Sequence, residues 1–425
     1  DTGVMALMNN PATLTMQKDS HQLSLGLTNM FLDIGYKPNG GTRHASESSF
    51  FPLPSLGITK KLLNGKLFTG IGLMTQGGMG SNYGTALDFS PMIPDNKDHM
   101  SGNYHAFSEV MYMKTVVPVA YKLNDMISIA GALSFGFMSM KMESLMSGQM
   151  MSTMMGGKAA DEKIPGMHNS SFNDMQHGEH AAMLANNYGI NQGFINYGYM
   201  SMVDQNAATG FGVGGFDLGV TIKPIENLNF GFTYKSKSMM NKLQGKANMM
   251  LNGQMFHPTY GSFMGNMSMP MYSDVAIDFQ WPQAFAAGAS FNVFKCLTVV
   301  YDINWINWAD TMNTLTFELS NNTVVTPDMS TGYIGEDYGV ENELKEDFAF
   351  NLTQKWQDQI VHKIGLQYEI EPKFIVRAGF NYGNNPIPAE HLNPLLGATS
   401  TTHYTAGFTY TANDSFSIDA AYTYT

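Results

Sequence analysis

Apolar and polar residues alternate with a period of two along much of this chain, the mark of half-buried β-strands. Near the C-terminus Phe416, Ile418, Ala420, Tyr422 and Tyr424 share one face, and Ser417, Asp419, Ala421 and Thr423 the other. Just before them Tyr404, Ala406, Phe408 and Tyr410 alternate with Thr405, Gly407 and Thr409. Phe374, Val376, Ala378, Phe380 and Tyr382 form another stripe, with Arg377 and Asn381 pointing away. Ile127, Ile129, Gly131, Leu133, Phe135 and Phe137 form a further one. The pattern predicts strand pairs joined by short turns: 106–123 with 126–142, 209–223 with 227–242, 284–294 with 297–316, 357–370 with 373–382, and 401–411 with 415–425. Further strands are predicted near 21–37, 48–59 and 67–77. One or two more lie in 271–294, where Trp281-Pro282 interrupts the run.

The opposite ends of these strands carry the long segments, 80–103, 143–205, 243–270, 317–355 and 383–400. Short turns on one side and long loops on the other are the asymmetry of outer-membrane barrels. A sheet in lipid must close, because an open edge leaves N–H and C=O groups without partners. The expected fold is therefore all-β, a transmembrane antiparallel β-barrel over residues 21–425. The pattern counts thirteen or fourteen strands, and bacterial single-chain barrels have even numbers. Residues 1–20 do not alternate and are expected to be a plug or a periplasmic extension.

Composition narrows the class. Charged residues make up 14% of the 425, against about 25% in a typical soluble domain. The 20 Tyr and 27 Phe suit a surface that is apolar on one side and uncharged-polar on the other. A large secreted all-β protein shares this alternation, with its polar face in water instead of a lumen. Cys296 is the single cysteine, which excludes an intrachain disulfide framework and a cysteine-based metal site. A net charge of -12 argues against nucleic acid as a partner. No run of eighteen apolar residues occurs, so no transmembrane helix is predicted. No signal peptide is visible, and the chain opens at Asp1 in what reads as mid-protein sequence.

Several landmarks resemble the FadL family of outer-membrane transporters for long-chain fatty acids and aromatic hydrocarbons. Asn9-Asn10-Pro11-Ala12 is similar to the family's hatch signature, and Ser81-Asn82-Tyr83-Gly84 to the motif closing its third strand. Tyr301 to Trp308 resembles its mid-barrel tryptophan segment. Arg377 to Tyr382, followed by Pro386-Ile387-Pro388, resembles its late strand and loop. The resemblance implies fourteen strands, a luminal N-terminal hatch, a first ligand groove among the extracellular loops, a tighter pocket near the hatch, and exit through a gap at a kink in the third strand. The family's hatch is longer before Asn-Pro-Ala, where only eight residues precede Asn9 here. The family also has one more strand beyond the position of Thr425. The sequence is accordingly expected to lack both ends of the mature protein, with thirteen strands visible.

The expected function is passive uptake of hydrophobic small molecules, fatty acids or aromatic or aliphatic hydrocarbons, by binding in an apolar pocket and lateral release. Asn9, Asn10, Pro11 and Ala12 are candidates for the hatch. Gly77, Gly78, Gly80, Asn82, Tyr83 and Gly84 are candidates for the lateral opening, since glycine weakens a ladder and permits a bulge. An ordinary glycine-rich turn would use the same residues. Met167, Phe172, Met183 and Leu184 are candidates for the ligand groove. Arg377 is read as a luminal charge, paired with an acid such as Asp419 or Asp302, or else binding a ligand carboxylate. Trp305 and Trp308 are placed in the wall or at the lipid interface.

The 35 methionines stand out. Met138, Met140 and Met142 open the longest loop in this reading. Thioethers suit an adaptable apolar groove. They also suit Cu(I), with His177 and His180 as weak metal candidates, and methionine replacing leucine without a role is the bland alternative. No enzyme signature occurs and no cofactor is expected. The partners expected are a hydrophobic ligand and outer-membrane lipid with lipopolysaccharide, with the protein a monomer. A general porin, a non-transport surface barrel and a copper-binding outer-membrane protein are the alternatives.

Overall fold

The computed structural model describes residues 3–37, 42–85, 105–147, 199–203, 207–256, 263–327, 339–343 and 347–425. It is built almost wholly of antiparallel strands. In chain order these are β1 (His21–Phe31), β2 (Gly35–Tyr36), β3 (His44–Ala45), β4 (Phe50–Leu62), β5 (Leu67–Thr85), β6 (His105–Lys122), β7 (Ile127–Ser147), β8 (Tyr199–Val203), β9 (Ala208–Ile225), β10 (Leu228–Lys235) and β11 (Met239–Met240). There follow β12 (Leu243–Phe256), β13 (Phe263–Ile277), β14 (Ala284–Phe294), β15 (Leu297–Ile306), β16 (Thr314–Pro327), β17 (Gly339–Glu343), β18 (Phe348–Thr353), β19 (Gln359–Glu371), β20 (Phe374–Gly383), β21 (Thr402–Asn413) and β22 (Phe416–Tyr424).

A continuous series of pairings runs β1–β4–β5–β6–β7–β9–β10–β14–β15–β19–β20–β21–β22. Its members follow one another by tight turns on one side. At one of these, Asn124 accepts from the backbone N–H groups of Met126 and Ile127 at 2.8 and 2.7 Å. In this series the apolar stripe points outward and is exposed. Leu25, Leu133, Phe135, Ile364 and Tyr422 are among the residues it leaves uncovered. Polar side chains face inward, among them Lys114 and Asp217. That is the reverse of a water-soluble sheet, and it is what lipid outside and a polar lumen require.

Four of the long strands break, and beyond the breaks the pattern inverts. The breaks fall at 236–238, 278–283, 307–313 and 354–358. Above them β12, β13, β16 and β18 pair with one another. There the apolar side chains point inward: Leu243, Val275, Leu315, Phe317 and Leu319 are buried, while Lys242, Gln244 and Glu318 face out. This half of the sheet is built for water outside and a packed interior.

Two sequence expectations are corrected here. The described residues of the expected loops 243–270 and 317–355 are largely strand: β12 pairs with β13, and β16 with β17 and β18. In β12 the alternation is spelled mostly in Leu, Ala, Gly and Met instead of aromatic residues, which hides it. Likewise Met138, Met140 and Met142 do not open a loop. They lie on β7 with their side chains buried on its inner face, Met140 and Met142 beside Ala208, Ala247 and Phe317.

Candidate functional site

The N-terminal segment packs against the inner faces of β4 to β7 and β9 as two short 3-10 turns, Gly3–Leu7 and Pro11–Met16. Proline suits the first position of such a turn, since its missing N–H would be unpaired there anyway. Asn10 caps the second turn, its Oδ1 accepting from the Ala12 N–H at 3.0 Å. Its Nδ2 donates to the wall, to the carbonyls of Val220 at 3.3 Å and Phe232 at 3.2 Å. Gly219 makes this approach possible, because a Cβ there would collide with Asn10 Oδ1. Three more bonds tie the segment down. The Thr15 hydroxyl donates to Ser128 Oγ at 2.8 Å, the Thr59 hydroxyl donates to Gln17 Oε1 at 2.7 Å, and Lys235 Nζ donates to the Met8 carbonyl. Ala6, Leu7 and Leu14 pack with Phe68, Met74 and Ala120 of the wall. Asn10, Pro11 and Ala12 are thus buried against the wall, and Asn9 is exposed.

Above the N-terminal segment the wall changes. β4 pairs with β5 from Leu62↔Leu67 to Ser55↔Met74, and no pairing of β4 with β5 is present above that. β4 itself continues, paired with β1, as far as Phe31↔Phe50. β5 also continues, paired with β6, but with bulges between Thr75 and Gly77 and between Asn82 and Thr85. The first bulge swaps the faces. Below it Gly72 and Met74 point inward; above it Gly77 lies opposite the inward Tyr112, and Ser81 opposite the inward Ser108. The seam is joined again at the top, where the Glu47 N–H donates to the Asn82 carbonyl at 2.6 Å and the Asn82 N–H to Ser46 Oγ at 3.0 Å. A stretch without β4–β5 pairing, a window in the ladder, therefore lies between the two strands. From across the sheet the 3-10 turn Pro394–Leu396 reaches its upper rim. Its Pro394 carbonyl accepts from Tyr83 Oη at 3.2 Å, and its Leu395 carbonyl from Ser108 Oγ.

An aromatic row ends at this window. Tyr112 lies 5.2 Å from Trp281, Trp281 5.4 Å from Trp308, and Trp308 5.3 Å from Trp356, ring centre to ring centre. Trp281 lies against Gly77, where any side chain would occupy the ring's place. Tilted and edge-on pairs at such distances are favourable contacts between rings. Each tryptophan of the row sits in a strand break, 278–283, 307–313 or 354–358. Beside the row Lys114 and Asp217 form a buried ion pair at 3.1 Å, with side chains 8% and 3% exposed.

The structure gathers Gly77, Gly78, Gly80, Asn82, Tyr83 and Gly84 on the upper part of β5, along the window. Arg377 stands apart, on β20. It donates to Gln367 Oε1 at 2.8 Å and Thr409 Oγ1 at 2.6 Å, and lies 3.9 Å from Asp419. Met167, Phe172, Met183, Leu184, His177 and His180 fall outside the described residues. Trp305 keeps its place on the outward stripe with Tyr301 and Ile303, its Nε1 bonded to Asp358 at 3.0 Å. Trp308 departs from the expected girdle position, because β15 ends at Ile306 and the short helix Trp308–Thr311 turns its ring onto Trp281 and Trp356. Sequence reasoning missed Trp281, Trp356 and Tyr112. The signal was present: three of the four tryptophans fall where the alternation stops.

A sheet with its apolar stripe outward and polar side chains inward is that of an outer-membrane β-barrel. The family described as outer membrane protein transport protein (OMPP1/FadL/TodX) matches residues 1–425, and the chain belongs to it. Among solved structures it is similar to the P. putida toluene transporter TodX, at 20% identity and TM-score 0.69 over 99% of this chain and 87% of that one. The Ralstonia pickettii toluene transporter TbuX matches at 20% identity and TM-score 0.66, over 99% and 88%. A Pseudomonas aeruginosa FadL homologue matches at 15% and 0.58, over 98% and 84%. No match is found among curated proteins. The chain is placed in the outer membrane as a multi-pass β-barrel and is not an enzyme.

Proposed function

We propose that this protein takes up small hydrophobic molecules passively, holding them on the aromatic row above the plug and releasing them sideways between β4 and β5. The observation that carries this reading is that the row ends at Gly77, on the stretch of β5 that β4 does not pair. A molecule leaving there enters hydrocarbon directly and never crosses a water-filled lumen. Removing it from water favours binding by about 25 cal/mol per Å² of apolar surface buried. No energy source is needed. Two of the similar structures are described as toluene transporters, so monoaromatic hydrocarbons are the first ligands to test. Met167, Phe172, Met183 and Leu184 remain the proposed outer groove. Asn9 to Ala12 are the proposed hatch, and the protein works as a monomer among lipopolysaccharide.

The proposed barrel has fourteen strands. Thirteen follow one another in the observed series, so its first and last members, β1 and β22, run parallel. One further antiparallel strand between them satisfies both edges.

Tryptophan fluorescence tests the binding step, because three of the four tryptophans line the row. A brominated monoaromatic added to the protein in liposomes is expected to quench most of the emission. Trp305→Phe is expected to leave that quenching intact, and Trp281→Phe to weaken it at least several-fold. Equal quenching in both variants would place the ligand elsewhere. Steady ion current through the unliganded protein would favour a general porin.

A further inference from the structure

We infer that Pro52 and Pro54 of β4 hold the lateral window open, so that the opening is encoded in β4 as well as in the bulge of β5. The inference rests on the release route proposed above and names the residues that create it.

Strand parity carries the argument. In an antiparallel pair only alternate residues bond across to a given neighbour, and the residues between them bond to the other side. The Leu32 N–H donates to the Ser49 carbonyl, and the Lys61 N–H to the Ser20 carbonyl, each at 2.8 Å. Both bonds lie on the register that pairs β1 with β4. Odd-numbered residues of β4 therefore bond to β1, and even-numbered ones face β5. The other side of β5 agrees. The Lys122 N–H donates to the Lys66 carbonyl at 2.8 Å, so even-numbered residues of lower β5 bond to β6 and odd-numbered ones face β4. The β4–β5 rungs are then 62↔67, 60↔69, 58↔71 and 56↔73. The next rung on this register is Pro54 with Thr75, and the one after it falls on Pro52. The ladder stops where the first missing donor stands.

Proline lacks the N–H that a rung needs. Its two positions here leave the pairing with β1 intact, because both point their nitrogen toward β5. An ordinary residue at either place would hold an unpaired N–H at an edge facing hydrocarbon, which is costly and drives closure. Proline removes that cost from the β4 side. Both rings are exposed on the outward stripe with Leu56 and Ile58. On the β5 side the bulge after Thr75 turns Gly78 and Gly80 toward the gap, and Phe51 lies against Gly80. Each strand thus carries its own device against pairing.

The test is the double variant Pro52→Val/Pro54→Val of the full chain, refolded in liposomes, with Pro54→Ala as a milder companion. Heat-modifiable gel migration selects the variants that fold. Amide hydrogen exchange over residues 75–80 reads the ladder, and entry of toluene into the liposome membrane reads release. We expect exchange at Thr75 and Gly78 to slow at least tenfold and toluene entry to fall at least several-fold. Exchange at the wild-type rate in a folded variant would overturn the inference. Slower exchange with unchanged entry would support the role of the prolines and instead refute lateral release.

Discussion

Asn10 makes three hydrogen bonds from one small side chain: one within its own turn and two to carbonyls of the neighbouring wall strands β9 and β10. Losing the cap costs about 1 kcal/mol, and the N-terminal segment, the proposed plug, loses its direct grip on β9 and β10. Asn10→Ala is expected to leave the barrel folded but loosen the plug, seen as bursts of ion current in planar bilayers where the wild type is silent. A silent variant would mean that Lys235, Gln17 and the apolar contacts hold the plug alone. The pair Lys114–Asp217 is a different case, because both charges are buried. Lys114→Met strands a carboxylate and is expected to cost about 3–5 kcal/mol, whereas Lys114→Met with Asp217→Leu costs much less. Urea unfolding in micelles reads both. At this scale the sequence was readable where a residue type has one strong use. Asn10-Pro11 pointed to a turn, and the run of glycines pointed to a bulge. Pro52 and Pro54 were unreadable alone, since their effect depends on which neighbour each nitrogen faces.

Elements follow from pattern, and the pattern changes meaning partway along several strands. The aromatic alternation of Phe374 to Tyr382 or Phe416 to Tyr424 was legible because large apolar residues face lipid there. Residues 243–256 alternate equally well, but with Leu243 and Ala247 inward and Lys242, Gln244 and Lys246 outward. Small residues and methionine weaken the contrast, so the segment reads as loop until its partner strand is seen. The breaks between the two regimes are where the tryptophans collect, and a break lets a large ring leave the sheet plane. Trp356 is 2% exposed, so Trp356→Ala is expected to cost about 3–5 kcal/mol through the cavity it leaves. Trp356→Phe keeps a ring in contact with Trp308 and is expected to cost clearly less. Thermal unfolding followed by circular dichroism separates them; equal losses would show that the indole edge, not ring packing, holds the junction.

Taken whole, the molecule has two solvents, and a single substitution type can locate the boundary between them. Leu133 on β7 is 59% exposed on the outward stripe of the lower half. Gln244 on β12 is exposed on the outward face of the upper half. If lipid surrounds the lower half alone, Leu133→Arg places a charge in hydrocarbon and costs about 2–4 kcal/mol near the midplane. Gln244→Arg places the same charge in water or at the headgroups, where the cost is about 0–1 kcal/mol. Folding yields into vesicles of known thickness measure the difference. Thinner bilayers are expected to rescue Leu133→Arg in part, because the charge then lies closer to an interface, and to leave Gln244→Arg unchanged. Equal costs at both sites would remove the boundary from the strand breaks. The window between Met74 and Asn82 would then have to be placed afresh relative to the lipid, because its use as an exit depends on opening inside the hydrocarbon and not above it.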